Sequence, residues 1–203
     1  MSRYTGPKAR ITRRFGLNLF GVEKYDKILL KRNYPPGMHG KGKFSKPTEF
    51  GKQLLEKQKV RFIYGITERQ CQNCYREAIR HKEDTGKTFM TLLERRLDNV
   101  LYRAGFAKTR MQARQLVNHG LFLVNNRRVT SPSYLVKTGD IFSVRPKKQS
   151  SPLFQDLEKN KYKPPAWLLI DMQAVKGEIV RFPDEMEFEH VVSPRMIVEF
   201  YSK

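Results

Sequence analysis

Basic side chains in one stretch of the sequence are the strongest candidates for chemistry. Residues 109–129 read TRMQARQLVNHGLFLVNNRRV, which predicts a helix followed by a β-hairpin. The cations in and just before this stretch are Lys108, Arg110, Arg114, Arg127 and Arg128. The two helical arginines are four residues apart and share one helix face. Such cations on a rigid helix and loop can bind the phosphates and 2′-hydroxyls of RNA, because side chains cannot enter the deep groove of an A-form helix.

The distribution of charge supports a polyanionic partner. The 203 residues include 40 Lys+Arg and 20 Asp+Glu, which gives a formal net charge of +20. The net charge is +12 over 1–64, +1 over 65–100, +9 over 101–150 and −2 over 151–203. A surplus that served solubility alone would be spread evenly, so the two basic blocks predict two polyanion-binding surfaces. The two near-neutral regions are free to pack or to meet protein partners.

Metal and catalytic patterns are weak. Cys71 and Cys74 share a helix face and His81 follows, but a structural zinc needs four ligands. His39 is the other histidine close in sequence, so we expect packing thiols, no metal and no cofactor. Two cysteines are too few for a disulfide framework, which fits a reducing compartment. The sequence contains no Walker loop, no Ser/His/Asp set and no GxGxxG, so we do not expect an enzyme.

Helices must position the basic residues. Gly and Pro punctuate residues 1–47, which predicts an extended basic arm with one short helix near 8–15, or a poorly ordered tail in the free protein. Aromatic side chains of the arm can stack on bases or anchor the arm to its own domain. Capping residues and helical spacing predict further helices from Thr48 to Gly65, from Thr67 to about 82, over about 88–104, and from Thr109 to Gly120. The first two of these are joined by a short link, which predicts an antiparallel α-hairpin.

Strands follow the helices, so the predicted fold class is α+β with antiparallel strands. The first hairpin pairs 121–124 with 127–129 through Asn125-Asn126, since Asn tolerates left-handed backbone angles. Further strands are predicted at 133–137 and 141–145. A polar connector over 146–165, with a short helix from 152, leads to a second hairpin that pairs 167–171 with 178–183 and has Lys176-Gly177 in its turn. Ser193-Pro194 opens a terminal helix through about Tyr201.

Residues 93–129 resemble the αL RNA-binding motif of the small-subunit ribosomal protein four family, here the S-four family. Several RNA-modifying enzymes and tRNA synthetases share this motif, so it implies RNA binding rather than one protein. Residues 1–16, 35–40 and 51–70 are similar to the S-four family in order and spacing, and 197–203 resembles its terminus. The resemblance therefore covers nearly the whole chain.

The resemblance implies three regions: a basic arm over 1–47, a helical domain built from 46–91 plus about 190–203, and an inserted αL domain over 92–189 with its core motif at 93–145. It implies a zinc-free subtype of the bacterial or organellar type, because Ala9 and Thr12 stand where many relatives carry zinc-binding cysteines.

The function implied is that of a structural constituent of the small ribosomal subunit. Such a protein binds the 5′ domain of small-subunit rRNA early, nucleates its assembly, lines the channel where mRNA enters and contributes to translational accuracy. The partners implied are rRNA, mRNA and a neighbouring small-subunit protein, with no membrane and no homo-oligomer. We expect it in the ribosome, in the bacterial cytoplasm or inside an organelle. The acid-rich segment 171–199 is the candidate protein-contact surface.

Two alternatives remain from the sequence. One is a free αL-domain RNA chaperone. The other is an RNA-modifying protein, because Arg96-Leu97-Asp98 is similar to the segment around the catalytic aspartate of pseudouridine synthases that carry an αL domain. The ordinary interpretation of Asp98 is a helix-surface salt bridge to Arg95 or Arg103.

We expect two RNA-binding surfaces. The first comprises Lys108, Arg110, Arg114, Arg127 and Arg128, with Lys147 and Lys148. The second comprises Arg3, Lys8, Arg10, Arg13, Arg14, Lys57 and Arg61. By the resemblance, the candidates for the mRNA channel are Lys41, Lys43 and Lys46, and His39 is a further RNA-binding candidate.

Overall fold

The computed structural model describes residues 4–42, 46–149, 151–155 and 164–202. In chain order, its α-helices are α1 Lys8–Phe15, α2 Glu23–Lys31, α3 Glu49–Tyr64, α4 Glu68–Arg80, α5 Thr85–Glu94, α6 Leu97–Arg103, α7 Arg110–Asn118, α8 Pro146–Gln149, α9 Pro152–Gln155 and α10 Pro194–Tyr201. The strands are β1 Phe122–Val124, β2 Arg127–Arg128, β3 Ile141–Val144, β4 Leu168–Asp171 and β5 Lys176–Ile179. A short 3-10 helix spans Glu185–Glu187. Among the described residues, no helix is both long enough and apolar enough to cross a membrane.

Two compact units divide the chain. The first comprises residues 1–86 and 191–203, and the second comprises 87–190. In the first unit, α3 begins at the cap formed by Thr48 Oγ1 and ends at Gly65, whose φ is 61°. Its main helix partner is α10. The antiparallel pairing predicted for α3 and α4 is therefore not the main packing of α3, which contacts the terminal helix α10 more extensively.

The predicted start of α4 is confirmed in atomic detail. The Gln70 backbone N–H donates to Thr67 Oγ1 at 3.3 Å, and the Thr67 N–H donates to Gln70 Oε1 at 3.1 Å. This reciprocal pair satisfies two N–H groups that have no partner inside the helix.

The arm contains more helix than its sequence indicates. The predicted helix near 8–15 is confirmed as α1, but α2 was not predicted, and none of its side chains is fully buried. The rings of Tyr4 and Phe15 meet Phe62 of α3 edge-on, with ring centroids 5.4 and 6.0 Å apart. These two aromatic residues therefore anchor the arm to its own unit.

The helix predicted over 88–104 is wrong, because the structure divides it into α5 and α6. Arg96 has extended backbone angles, with φ −64° and ψ 135°. The N–H groups of Leu97 and Asp98 donate to the carbonyls of Tyr134 and Pro132, at 2.8 and 3.2 Å. These long-range bonds replace the bonds that a continuous helix would make, so the unbroken apolar spacing could not show the break.

The first predicted hairpin is confirmed. β1 and β2 pair antiparallel, and Asn125 and Asn126 between them have φ values of 47° and 62°. The strand predicted over 133–137 is wrong, because that stretch forms one isolated bridge, Leu135 to Arg96, in place of a ladder.

The five strands form one antiparallel sheet in the order β2-β1-β3-β5-β4. The second hairpin has a different turn from the predicted one, because Lys176 and Gly177 lie inside β5. The turn comes earlier, where Asp171 Oδ1 accepts from the backbone N–H groups of Gln173 and Ala174, both at 3.0 Å. A Cβ on Gly177 would lie 2.5 Å from the Phe142 ring. This glycine therefore permits close packing between strands and does not form the turn.

The core of the second unit lies where α6 and α7 pack on the sheet. Its largest fully buried side chains include Trp167, Phe106, Phe122 and Phe142. On α7, Ala113, Leu116 and Val117 are buried as the helical spacing predicts. β1 is held by its pairing with β3, and β2 pairs with β1 at the edge of the sheet.

Candidate nucleic-acid interface

Cations converge at the C-terminal end of α7. Arg128 Nη2 lies 3.5 Å from the His119 carbonyl, and Arg145 Nη1 lies 3.5 Å from the Gly120 carbonyl. The last carbonyls of a helix carry partial negative charge, which favours cations there. Gly120 has φ 63°, and a Cβ on it would lie 2.2 Å from Arg128 Nε. The Arg128 side chain therefore lies directly over the glycine that ends the helix.

Exposed cations continue from this point along the chain. Arg127 and Arg128 are exposed on β2, and Lys147 and Lys148 are exposed on α8. Arg145, which precedes α8, is partly buried and was not among the predicted site residues. Its position two residues before the Lys147-Lys148 pair could have indicated that it belongs to the same basic surface. We name Arg127, Arg128, Arg145, Lys147 and Lys148 the hairpin cluster.

Lys108 lies at the opposite end of α7. Its side chain is exposed, and its backbone N–H donates to Gln112 Oε1 at 2.8 Å. The predicted surface is therefore divided between the two ends of one helix.

Arg110 has partners inside the second unit. Its guanidinium forms an ion pair with Glu189, donates from Nε to Asn99 Oδ1 at 2.8 Å, and lies 4.4 Å from the centroid of the Tyr102 ring. Burial alone would raise the pKa of the Glu189 carboxyl, but the charges of Arg110 and Arg103 hold that pKa below its ordinary value. Arg110 thus joins the start of α7 to the segment after the 3-10 helix, and its predicted role in RNA binding stays a prediction.

A buried carboxylate completes this network. Glu94 is fully buried and accepts two bonds from Arg103, at 3.0 and 2.8 Å, and one from Asn99 at 2.6 Å. Arg103 also lies 3.4 Å from Glu189. A buried charge that lost one of these partners would be costly, so the network fixes α5, α6 and α7 against each other.

Arg114 is also largely buried. Its Nη1 lies 3.7 Å from Asp98 Oδ2. Asp98 is held mainly by Arg96, whose Nε and Nη2 donate to the two carboxylate oxygens at 3.1 and 2.8 Å. The salt bridge predicted from Asp98 to Arg95 or Arg103 is therefore replaced by one to Arg96, because the helix break turns Arg96 toward Asp98. A contact of Arg114 with RNA stays a prediction.

The cations of α1 fall into two groups. Arg10 and Arg14 are exposed. Lys8 Nζ lies 5.3 Å from the centroid of the Phe20 ring. Arg13 donates from Nε to the Tyr34 carbonyl at 3.0 Å and from Nη2 to the Pro35 carbonyl at 3.2 Å. Arg13 therefore fixes the segment that follows α2.

That segment presents a stacked set of cations. Arg13 lies over the Tyr34 ring, with its guanidinium carbon 4.6 Å from the centroid, and Lys41 Nζ lies 5.4 Å from the same centroid. The chain turns back at Gly40, where a Cβ would lie 2.0 Å from the Pro35 carbonyl oxygen. Both cations gain favourable interactions with one aromatic ring, which holds them close together.

Other predicted residues of the first unit differ in exposure. His39 and Lys46 are exposed, whereas Lys57 is buried. Lys57 Nζ and Arg61 Nη1 lie 2.8 and 3.0 Å from Glu68 Oε2. Burial would raise the pKa of Glu68, but bonds from Lys57 and the Tyr201 hydroxyl lower it below its ordinary value. The remaining predicted residues, Arg3 and Lys43, lie outside the described residues.

Cys71 and Cys74 lie on α4, the helix that also carries Glu68. Burial raises the pKa of the Cys71 thiol to about 12, so the thiol stays protonated. Among the residues that the structure describes, no group of three or more His, Cys, Asp and Glu side chains is placed to hold one metal ion.

Comparison with known proteins covers the entire chain. A family model described as the ribosomal protein S4/S9 N-terminal domain matches residues 3–94, and one described as the S4 domain matches 95–142. The chain is 46% identical to the small ribosomal subunit protein uS4 of Borrelia recurrentis, over 100% of this chain and 99% of that protein. It is 45% identical to uS4 of Aquifex aeolicus, over 100% of both chains.

The chain belongs to the uS4 family. In this uS4 member, the boundary between the two family matches falls at residues 94 and 95, where α5 ends and the break before α6 begins. The match to the S4 domain contains Lys108, Arg127 and Arg128. Arg145, Lys147 and Lys148 lie just beyond it, so the hairpin cluster spans the end of the matched domain.

Proposed function

We propose that the chain is a structural, non-catalytic constituent of the small ribosomal subunit that binds rRNA through its phosphates and helix shape. One observation carries the proposal. In the described part of 101–150, the single acid is Asp140, and it is buried, accepting from Asn125 Nδ2 at 2.9 Å and from the Lys137 N–H at 2.7 Å. The exposed cations of this stretch therefore have no exposed carboxylate within the stretch to neutralise them, which favours phosphate binding.

The chain performs this function with three regions, which are the arm 1–47, the helical domain 46–91 with about 190–203, and the αL domain 92–189. The rRNA target is the 5′ domain of small-subunit rRNA, whose assembly this protein nucleates. Exposed Arg10 and Arg14 in the arm and the hairpin cluster in the αL domain make the phosphate contacts, and Lys108 joins them. The location is the ribosome in the cytoplasm.

The protein also contacts mRNA and a neighbouring ribosomal protein. Lys41, Lys43 and Lys46 are the cations assigned to the channel where mRNA enters, and His39 is assigned to a further RNA contact. The protein contributes to translational accuracy at this channel. A neighbouring small-subunit protein meets the acid-rich segment 171–199. Within that segment, Asp171, Asp184 and Glu185 are exposed. Asp184 pairs with Arg181 at 2.9 Å and Glu185 with Lys87 at 3.9 Å, and a basic partner can replace ion pairs this exposed.

The test is equilibrium binding of the full chain to a transcript of the 5′ domain, over a series of salt concentrations. Each phosphate contact contributes a salt slope of about 0.7 to 0.9. We expect Arg127→Gln and Lys147→Gln each to lower the slope by nearly one and to weaken binding about four- to fivefold at roughly 0.15 M salt. The control is Lys176→Gln, since Lys176 is an exposed cation on β5.

Equal loss in all three variants would mean that net charge alone sets the affinity, and would contradict the proposal. Equally tight binding of the wild-type chain to tRNA would favour a free RNA chaperone. Chemical conversion of an RNA substrate would favour an RNA-modifying enzyme.

A further inference from the structure

Three arginines form a stripe on the solvent side of α4. The stripe comprises Arg69, Arg76 and Arg80, all of which are exposed. It lies about 140–180° around the helix from Cys71, at 3.6 residues per turn. Cys71 and Ala78 are fully buried, so their face packs inward and the stripe points outward.

The net charge of the surrounding sequence does not indicate this basic stripe. Residues 65–100 have a net charge of +1 and read as a neutral, packing region. In the fold, the Glu68 side chain is 35% exposed, and its carboxylate accepts from Lys57 Nζ at 2.8 Å and from the Tyr201 hydroxyl at 2.8 Å. Its negative charge is thus compensated by Lys57 of the same unit, so the face of α4 that carries the stripe is more basic than the sequence total indicates.

Within α4, one exposed carboxylate remains beside the stripe, and Glu83 and Asp84 are exposed just after the helix ends. Glu77 Oε2 lies 2.9 Å from Arg80 Nη1, with the two side chains 47% and 75% exposed. Ion pairs this exposed contribute little, so Arg80 can exchange Glu77 for a stronger anion.

We propose that this stripe binds the phosphate backbone of RNA, as a further contact surface of the helical domain; the inference rests on the proposed function of binding rRNA. The helix rise places the first and last arginines about 16 Å apart along the axis, which lets the stripe follow one strand. Protein interfaces have an apolar or aromatic centre. On α4, all of which is described, Ile79 is the single large apolar side chain exposed, so the face suits a polyanion better than a protein.

The experiment compares single variants and the triple variant Arg69→Gln, Arg76→Gln and Arg80→Gln with the wild-type chain. Gln has nearly the helix propensity of Arg, so α4 should be retained, and its helical circular dichroism is recorded for each variant. The probe is a transcript of the 5′ domain of small-subunit rRNA. We expect each single variant to lower the salt slope by nearly one and the triple to lower it by about two to three. At roughly 0.15 M salt, the triple should bind on the order of a hundredfold more weakly.

The matched control is Arg195→Gln on α10. Arg195 is an exposed arginine of the same unit and is paired with Glu199 at 3.1 Å. We expect it to leave both affinity and slope unchanged. If the wild-type chain binds the transcript tightly and the triple variant binds it equally well, the stripe proposal is overturned and the proposed function stands. If the wild-type chain itself fails to bind the transcript, the proposed function fails first.

Discussion

Gly120→Ala should weaken RNA binding although Gly120 has no side chain that could contact RNA, because the new methyl group displaces Arg128. The new methyl group would lie 2.2 Å from Arg128 Nε and 2.7 Å from Arg128 Nη2, so the guanidinium must move away from the end of α7. The backbone at Gly120 has φ 63°, a conformation that costs a non-glycine residue about 1–2 kcal/mol. The variant therefore combines backbone strain with the displacement of one cation.

Gly139→Ala separates these two effects. Gly139 lies in the same unit with φ 82°, and a Cβ there would meet nothing within 4 Å. Both variants should lose about 1–2 kcal/mol of unfolding free energy in urea, because the Arg128 side chain is flexible and moves at little cost. In RNA binding to the 5′ domain transcript, Gly120→Ala should be about four- to fivefold weaker than Gly139→Ala at roughly 0.15 M salt.

A double variant completes the test. If Gly120→Ala acts through Arg128, it should have no further effect on affinity in a chain that already carries Arg128→Gln. Equal affinities of the two alanine variants, or additive losses in the double variant, would refute the reasoning that Arg128 binds RNA from this position.

Three further predictions concern stability and thiol reactivity. Because the pKa of Glu189 is lowered in the folded state, its ionised carboxylate stabilises the fold at pH values above the ordinary pKa of 4.5. This contribution is lost as the pH falls through the lowered pKa. Glu189→Gln should therefore be less stable at pH 7, and its unfolding free energy should fall less steeply below pH 4.5. Gly177→Ala should cost about 1–3 kcal/mol in urea unfolding, because its methyl group would overlap the Phe142 ring; an unchanged midpoint would contradict the packing described. In native protein at pH 8, an alkylating reagent should modify Cys74 well before Cys71, whose thiol is buried with a pKa near 12; equal rates would contradict this order.

Local signals predicted the elements whose determinants are close in sequence. The caps of α3 and α4 and the Asn125-Asn126 turn depend on residues within four positions of each other, and all three were predicted correctly. The break at Arg96 depends on carbonyls of residues 132–134, which no local pattern reveals. The role of Gly177 likewise depends on Phe142, a neighbour across the sheet.

In the candidate site too, local composition was informative and contacts between distant residues were not. Composition predicted a basic surface in 101–150, and the burial of Asp140 strengthens it. Sequence could not show that Arg110 and Arg114 face carboxylates of their own unit, because Glu189 lies 79 residues from Arg110. It also could not show that Glu68 pairs with Lys57 and leaves the arginine stripe of α4 exposed.

The most direct test of the central claim is to sediment the tagged protein from cell lysate through a sucrose gradient after a high-salt wash, and to sequence the RNA crosslinked to it. We predict that the protein migrates with the small ribosomal subunit and that its crosslinks cluster in the 5′ domain of small-subunit rRNA. Migration at the top of the gradient, with crosslinks spread over tRNA or mRNA, would contradict the ribosomal role.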